Sequence, residues 1–300
     1  MQIKNKEILC IGEVLWDKLP SGAKPGGAPM NVALHLNAIG MDVAIASSIG
    51  NDNEGKELKA FLNESGLGTS LIQEDEYLPT SEVLVHLDEN NNATYEICEP
   101  VAWDSIRLTD DLMNKAKSAG LLIYGTLASR NPISRESIMY LIDYDGIKLI
   151  DVNFRKPYDS QFVVEELLKK SNIAKLNDDE LVVFANWYNK HKYDEKSLVK
   201  WFANQYDLQM VCITKGENGA MLYADGEFYE HRGFKVNAVD TVGAGDAFLA
   251  GLVASLINNK SLEDALAYAC ATGAFVASKS GATPNYDMNE INSILSGISV

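Results

Sequence analysis

Apolar residues run along the chain in two alternating rhythms. Ile8 to Ile11 is a short, continuously apolar run closed by Gly12, and it reads as a buried strand. From Pro29 to Ile39, Met30, Leu34 and Ala38 recur at helical spacing, with Pro29 suited to a first turn and Gly40 to a C-terminal cap. Val43 to Ile49 is again strand-like, and the amphipathic stretch Asn53 to Ser65 stops at Gly66. Later strands are predicted at Leu121–Tyr124, Lys148–Val152, Ile173–Leu176 and Met210–Thr214. Helical stretches are predicted near 132–144, 160–170, 178–206, 243–257 and 261–279. Strand and helix in alternation imply an α/β fold whose central sheet is mainly parallel and flanked by helices.

Two places break the rhythm. The segment SEVLVHLDENNNATYEIC at 81–98 has two alternating stretches around the turn cluster Asp88–Asn92, the pattern of an antiparallel hairpin. Val14 to Ala23 is too polar and too rich in Gly and Pro for an ordinary crossover, so it is expected to join that hairpin in a small sheet standing off the main one. Ala220 to Tyr229 reads as a further hairpin turning at Asp225-Gly226. No linker, repeat or low-complexity tract divides the chain, which is read as a single α/β domain over 1–300.

Composition narrows the function classes. Twenty-six basic against forty-two acidic residues give a net charge of −16, so a nucleic-acid partner or an anionic membrane surface is not expected. The four cysteines, Cys10, Cys98, Cys212 and Cys270, have no C-x-x-C spacing and read as thiols of a reducing compartment. The apolar stretch in MQIKNKEILCIGE is too short for a signal peptide, and no run is long enough to span a bilayer, so a cytoplasmic protein is expected.

The most informative stretch is Asp240-Thr-Val-Gly-Ala-Gly-Asp-Ala-Phe248. Gly243 and Gly245 precede an apolar helix, where free backbone N–H groups and the helix dipole make an anion site. Asp246 falls in the first turn, beside any anion bound there. An anion hole next to a carboxylate base suits attack by a hydroxyl on a phosphoryl group. The plain alternative is an acidic residue that merely caps a helix. A dinucleotide fingerprint fails because Phe248 stands where a third small residue is needed. Walker A and protein-kinase signatures are absent.

DTVGAGDAF resembles the C-terminal signature of the ribokinase-like sugar kinases, the PfkB family. Gly26-Gly-Ala-Pro-Met-Asn31 resembles that family's first signature, in the family's order. Asn177-Asp-Asp-Glu180 resembles its N-x-x-E motif, and Thr214-Lys-Gly-Glu-Asn-Gly219 its nucleotide-side loop. The likeness spans essentially the whole chain. It implies a ribokinase-like fold in which about 13–25 and 80–104 form a β-sheet lid over the sugar. The implied reaction moves the ATP γ-phosphate to a sugar hydroxyl, with Asp246 as general base and Gly243, Ala244 and Gly245 as the anion hole.

The resemblance further implies that Asn177 and Glu180 organise Mg²⁺ through water. N-x-x-E also fits a helix capping box, and the two roles are compatible. Thr214, Lys215, Gly216 and Gly219 would lie along ATP; a tight turn into the following hairpin is the plain alternative. Asp17, Gly27 and Asn31 would meet the sugar. Asp151-Val-Asn-Phe-Arg155 resembles the D-x-N-x-R segment of fructokinase-like and ketodeoxygluconate-kinase-like members. There Asn153 would touch the sugar and Arg155 would clamp phosphate. Trp103 would pack on the sugar ring or within the lid. A K⁺ site is implied near Asp240, Val242 and residues 278–281.

The combination of Gly12-Glu-Val-Leu-Trp-Asp17, Gly26-Gly-Ala-Pro29 and D-x-N-x-R is most similar to the fructokinases, although the segment 95–104 lacks a basic residue expected in many of them. Fructose is therefore the expected substrate. Ketodeoxygluconate kinase, a ribokinase-like activity and a catalytically silent sugar-binding paralogue are the alternatives. A homodimer through the lid follows from the family and from the exposed edges of a small sheet.

Overall fold

Ile8, Leu9, Cys10 and Ile11 are wholly buried and form β1 (Ile8–Ile11), with parallel neighbours on both sides. A strand covered on both faces needs apolar residues at every position, which is why the run does not alternate. The protein is described here from a computed structural model covering residues 3, 5–19, 22–87 and 93–297. The predicted turn at Asp88–Asn92 lies outside the described residues.

The remaining strands follow in chain order. They are β2 (Leu15–Leu19), β3 (Gly22–Gly26), β4 (Val43–Gly50), β5 (Ile72–Asp75), β6 (Ser81–Leu87) and β7 (Ala93–Ile97), then β8 (Leu121–Gly125), β9 (Ile147–Asp151), β10 (Ile173–Asn177), β11 (Met210–Thr214), β12 (Ala220–Ala224) and β13 (Glu227–His231). Among the described residues the main sheet has nine strands in the order β13-β12-β11-β10-β9-β8-β1-β4-β5, parallel from β11 to β5, with an antiparallel hairpin at the other edge. The second sheet, β3-β2-β6-β7, contains the two segments that broke the α/β rhythm.

One face of the main sheet is covered by α1 (Ala28–Ala38), α2 (Asn53–Glu64), α8 (Ala244–Ile257) and α9 (Leu262–Ala277), with α10 (Met288–Leu295) packed on α9. The other face carries α3 (Asp110–Ser118), α4 (Pro132–Leu141), α5 (Gln161–Leu168), α6 (Asp178–Trp187) and α7 (Glu195–Gln205).

The structure departs from the periodicity in three ways. The helical stretch expected over 178–206 is two helices: α6 ends at Trp187, Asn189 adopts φ 53°, and Asp194 caps α7 by accepting from the Ser197 N–H at 2.9 Å. β5 and α3 carry weak patterns, because β5 is a polar edge strand and α3 buries only Leu112 and Ala116. The end of the expected lid segment returns to the body. Ala102–Ser105 is a buried 3-10 turn, and Trp103 is fully buried within the core beside Leu9, Ile11 and Leu122. Its ring lies under the Arg130 guanidinium at 4.0 Å, so it offers no face to a sugar, contrary to the sugar-stacking expectation. Arg130 also pairs with Asp104 through two 2.8 Å bonds and donates to the Cys98 carbonyl, clamping the root of the lid.

Candidate active site

The carboxyl ends of the central parallel strands converge on one cleft, the usual place for a ligand in an open α/β sheet. Glu13 and Asp17 follow β1, Asp151 ends β9, Lys175 and Asn177 lie on β10, and Thr214 ends β11. The lid strands β2 and β3 and the start of α1 close one side, and the start of α8 closes another.

Helix α8 begins where Gly243 takes φ 78°, a left-handed conformation, so that the chain turns straight from the loop into Ala244. A Cβ on Gly243 would also come within 2.3 Å of the Ala282 carbonyl oxygen. In the first turn of α8 the Ala244 N–H donates to the Thr241 carbonyl at 3.2 Å and the Ala247 N–H to the Gly243 carbonyl at 2.9 Å; the Gly245 and Asp246 N–H groups between them lie at the helix start, where backbone donors are left over for an anion.

Asp246 sits in that turn. Its Oδ2 accepts from Asn31 Nδ2 at 2.8 Å, a bond between residues 215 apart in the chain. Burial pushes the Asp246 carboxyl up to about 7; Asp151 adds to this, while Lys175, Asn31 and Arg155 oppose it. A carboxyl raised toward neutrality is suited to accept a proton from a hydroxyl.

Asn31 reaches Asp246 because α1 starts abruptly. Gly27 precedes it at φ 117°, and a Cβ there would meet the Glu13 carbonyl oxygen at 2.5 Å. Apart from the sugar contact implied for Gly27, the strand-to-helix junction itself needs a glycine there. Asp17 is half-buried, and burial raises its carboxyl while Arg155 counters. Arg155 is exposed and its Nη1 donates to the Phe154 carbonyl at 3.0 Å, while its positive charge opposes the upward shifts of Glu13, Asp17 and Asp246. Asn153 holds φ 40° in the loop between β9 and Arg155, a conformation Asn tolerates better than most residues.

The N-x-x-E pair forms the reciprocal capping box allowed by its spacing. Asn177 Oδ1 accepts from the Glu180 N–H and Glu180 Oε2 from the Asn177 N–H, both at 2.8 Å, while Glu180 Oε1 accepts from the Phe154 N–H at 2.7 Å. Both carboxylate oxygens of Glu180 already hold one backbone donor, which leaves room for water-mediated contact with a metal rather than a cage. Among the described residues no group of three His, Cys, Asp or Glu side chains could hold a metal ion. Hard oxygen donors at low count fit Mg²⁺, which keeps most of its waters.

Asp240 joins two segments, accepting from the Val242 and Gly281 N–H groups at 3.1 Å each. Carbonyls around this bridge are the donors a K⁺ ion would use.

The nucleotide-side loop is more mixed than expected. Thr214 closes β11 and Gly216 faces open space at φ 55°. The Lys215 ammonium, by contrast, is paired with Glu195 at 2.6 Å. Gly219 packs on the end of β13, where a Cβ would strike the His231 carbonyl oxygen at 1.9 Å. For these two residues the structure shows the roles of a surface pair and a tight turn.

Three residues of the site were passed over in the sequence. Lys175 is buried, and its Nζ donates to both oxygens of Asp151 at 2.9 Å. A charged residue in the middle of the apolar strand Ile173-Ala-Lys-Leu176 was the available signal. Glu13 is 4% exposed with Oε2 unbonded; burial raises its carboxyl, and the Ala28 N–H and Arg155 counter this. His35, one turn beyond Asn31 on α1, is 2.9 Å from the Tyr286 hydroxyl through Nδ1, and burial pulls its imidazole down to about 4.

An anion hole, a poised carboxyl beside it and a lidded cleft on an open α/β sheet define a phosphoryl-transfer site acting on a hydroxyl. The family model described as pfkB family carbohydrate kinase matches residues 21–288, and the chain belongs to that family. It is 28% identical to a fructokinase of Salmonella typhimurium, over 93% of this chain and 95% of that one. Its fold is that of a fructokinase of Xylella fastidiosa solved with ATP, at a TM-score of 0.84 and 23% identity over 97% of this chain and 98% of that one. A Vibrio cholerae fructokinase variant solved with fructose, ADP and a potassium ion superposes with a TM-score of 0.82 at 22% identity, over 97% of this chain and 98% of that one.

Proposed function

We propose that the protein is a fructokinase, transferring the γ-phosphoryl group of ATP to a hydroxyl of fructose. The observation that carries the chemistry is the 2.8 Å bond from Asn31 to Asp246 at the start of α8. It joins the sugar-side helix to the base beside the anion hole. The fructokinase relatives support the choice of fructose within the carbohydrate kinases, as does the Gly12–Asp17 and D-x-N-x-R combination.

Asp17, Asn31 and Asn153 bind and orient the sugar from the lid, α1 and the β9 loop. Asp246 takes the proton of the attacking hydroxyl. As the sugar oxygen bonds to the γ-phosphorus, the bond from that phosphorus to the ADP oxygen breaks, and the electron pair leaves with ADP. The N–H groups of Gly243 and Gly245 stabilise the equatorial oxygens, joined by that of Ala244 when it gives up its 3.2 Å bond to the Thr241 carbonyl, and Arg155 adds a positive charge at the cleft. Lys175 holds Asp151 neutralised beneath the base, which limits the number of uncompensated carboxylates facing a polyanion. Thr214 and Gly216 line the nucleotide side. Mg²⁺, with Asn177 and Glu180 touching its waters, would neutralise phosphate charge. K⁺ near Asp240 and Val242 would steady the loop before α8. The protein works in the cytoplasm as a homodimer paired through the lid.

The test is ADP release with Mg-ATP across fructose, ribose, ketodeoxygluconate, tagatose and nucleosides. Fructose as the best acceptor upholds the reading; preference for another acceptor rejects fructose and leaves the transfer chemistry standing.

A further inference from the structure

Among the described residues the lid carries a cation with no partner. β2 and β3 pair antiparallel with Asp17 opposite Lys24, so both side chains leave the same face of the lid. Asp17 Oδ2 lies over Gly26, where a Cβ would stand 2.4 Å away, and so the carboxylate leans toward the α1 junction and the sugar side. Lys24 reaches a different wall. A Cβ built on Gly281 would lie 4.0 Å from Lys24 Nζ, so the ammonium has crossed the cleft from the lid to the segment after α9.

That segment backs the anion hole. Ala282 is the residue against which Gly243 packs, and the Gly281 N–H is bonded to Asp240. Lys24 is half-buried, yet among the described residues it forms no hydrogen bond and no ion pair. The other cation deep in the cleft, Lys175, is already committed to Asp151. A half-buried lysine whose ammonium has no counter-charge is a place prepared for an anion.

We propose that Lys24 is a catalytic residue that touches the γ-phosphoryl oxygens of ATP from the lid side, opposite the N–H groups of Gly243 to Gly245. The inference rests on the kinase reading above. A compact charge on a flexible stem can follow the phosphoryl group as it moves between oxygens. Coming from the lid, it also joins sugar closure to phosphate charge neutralisation.

The test uses the full chain with Lys24→Met and Lys24→Arg. Because Lys24 has no bond to lose, both variants should melt with the wild type. With Mg-ATP and fructose, Lys24→Met should lower kcat about 10–100-fold while the KM for fructose changes less than about twofold, and Lys24→Arg should recover most of the loss. In calorimetry with a non-hydrolysable ATP analogue and with ADP, Lys24→Met should weaken the analogue and leave ADP unchanged. The proposal is overturned by an unaltered kcat. Equal loss of analogue and ADP also overturns it, as does a loss confined to the sugar KM, which would make Lys24 a sugar ligand. If the wild type phosphorylates no sugar, the kinase reading fails by itself, and the analogue-against-ADP comparison still decides where Lys24 binds.

Discussion

Replacing Asp246 by Asn should make the protein inactive and more stable at once, and the stability gain should depend on pH in a defined way. Burial holds this carboxyl up to about 7 from an ordinary 3.8. The unfolded chain therefore ionises Asp246 about three pH units before the folded one. At about 1.4 kcal/mol for each unit this favours unfolding by up to ~4 kcal/mol at high pH. Asp246 keeps a window on the cleft, and solvent there reduces the figure to about 2–4 kcal/mol. The sign follows from the titrations. Below pH 3.8 both states are protonated and Asp246 costs nothing. Between 3.8 and about 7 the cost grows with pH, and above about 7 it is constant. An amide never ionises, and its oxygen still accepts from Asn31 Nδ2. Urea unfolding of wild type and Asp246→Asn should therefore show the variant ahead by about 2–4 kcal/mol at pH 8, and by about a third of that at pH 5. Turnover should fall about 10²–10⁴-fold. Equal stabilities at pH 8, or a gap that does not shrink toward pH 5, would refute the reasoning that burial has strained this carboxyl.

Three further substitutions probe the support around it. Asn31→Ala removes a donor that favours ionised Asp246, so the acid limb of the kcat/KM profile should move up in pH and the loss should be larger at pH 7 than at pH 9. Lys175→Met leaves Asp151 buried without its cation and should cost about 3–5 kcal/mol in urea unfolding, a loss that Lys175→Met with Asp151→Asn partly recovers. Tyr286→Phe removes the hydroxyl beside His35 Nδ1 and should cost about 1 kcal/mol by thermal unfolding, with fructose affinity unchanged.

The legible parts of the sequence were those where one local rule decided the outcome. Ile8–Ile11 is buried on both faces, so its apolar run is unbroken, and β11 follows its predicted bounds for the same reason. Asp246 was legible because glycines, a helix start and a carboxylate meet within a few residues. What stayed hidden depends on contacts between distant segments. Asn31 and Asp246 touch across 215 positions, and their spacing carries no trace of that. Trp103 looked like a lid residue because it follows the hairpin closely, yet the Arg130–Asp104 clamp turns the chain back into the core just there. Lys215 sat in a nucleotide-loop motif, but Glu195 at the start of α7, twenty residues earlier, holds its ammonium. α3 and β5 were missed because short polar elements at the rim bury too little to imprint a period.

The central claim is that this cleft moves a phosphoryl group from ATP to fructose with Asp246 as the base. Phosphorus NMR of wild type and Asp246→Asn incubated with Mg-ATP and fructose tests it most directly. The account predicts a sugar phosphate ester growing in step with ADP for the wild type, and neither for the variant. ADP and inorganic phosphate without an ester, or an ester formed equally by the variant, would contradict it.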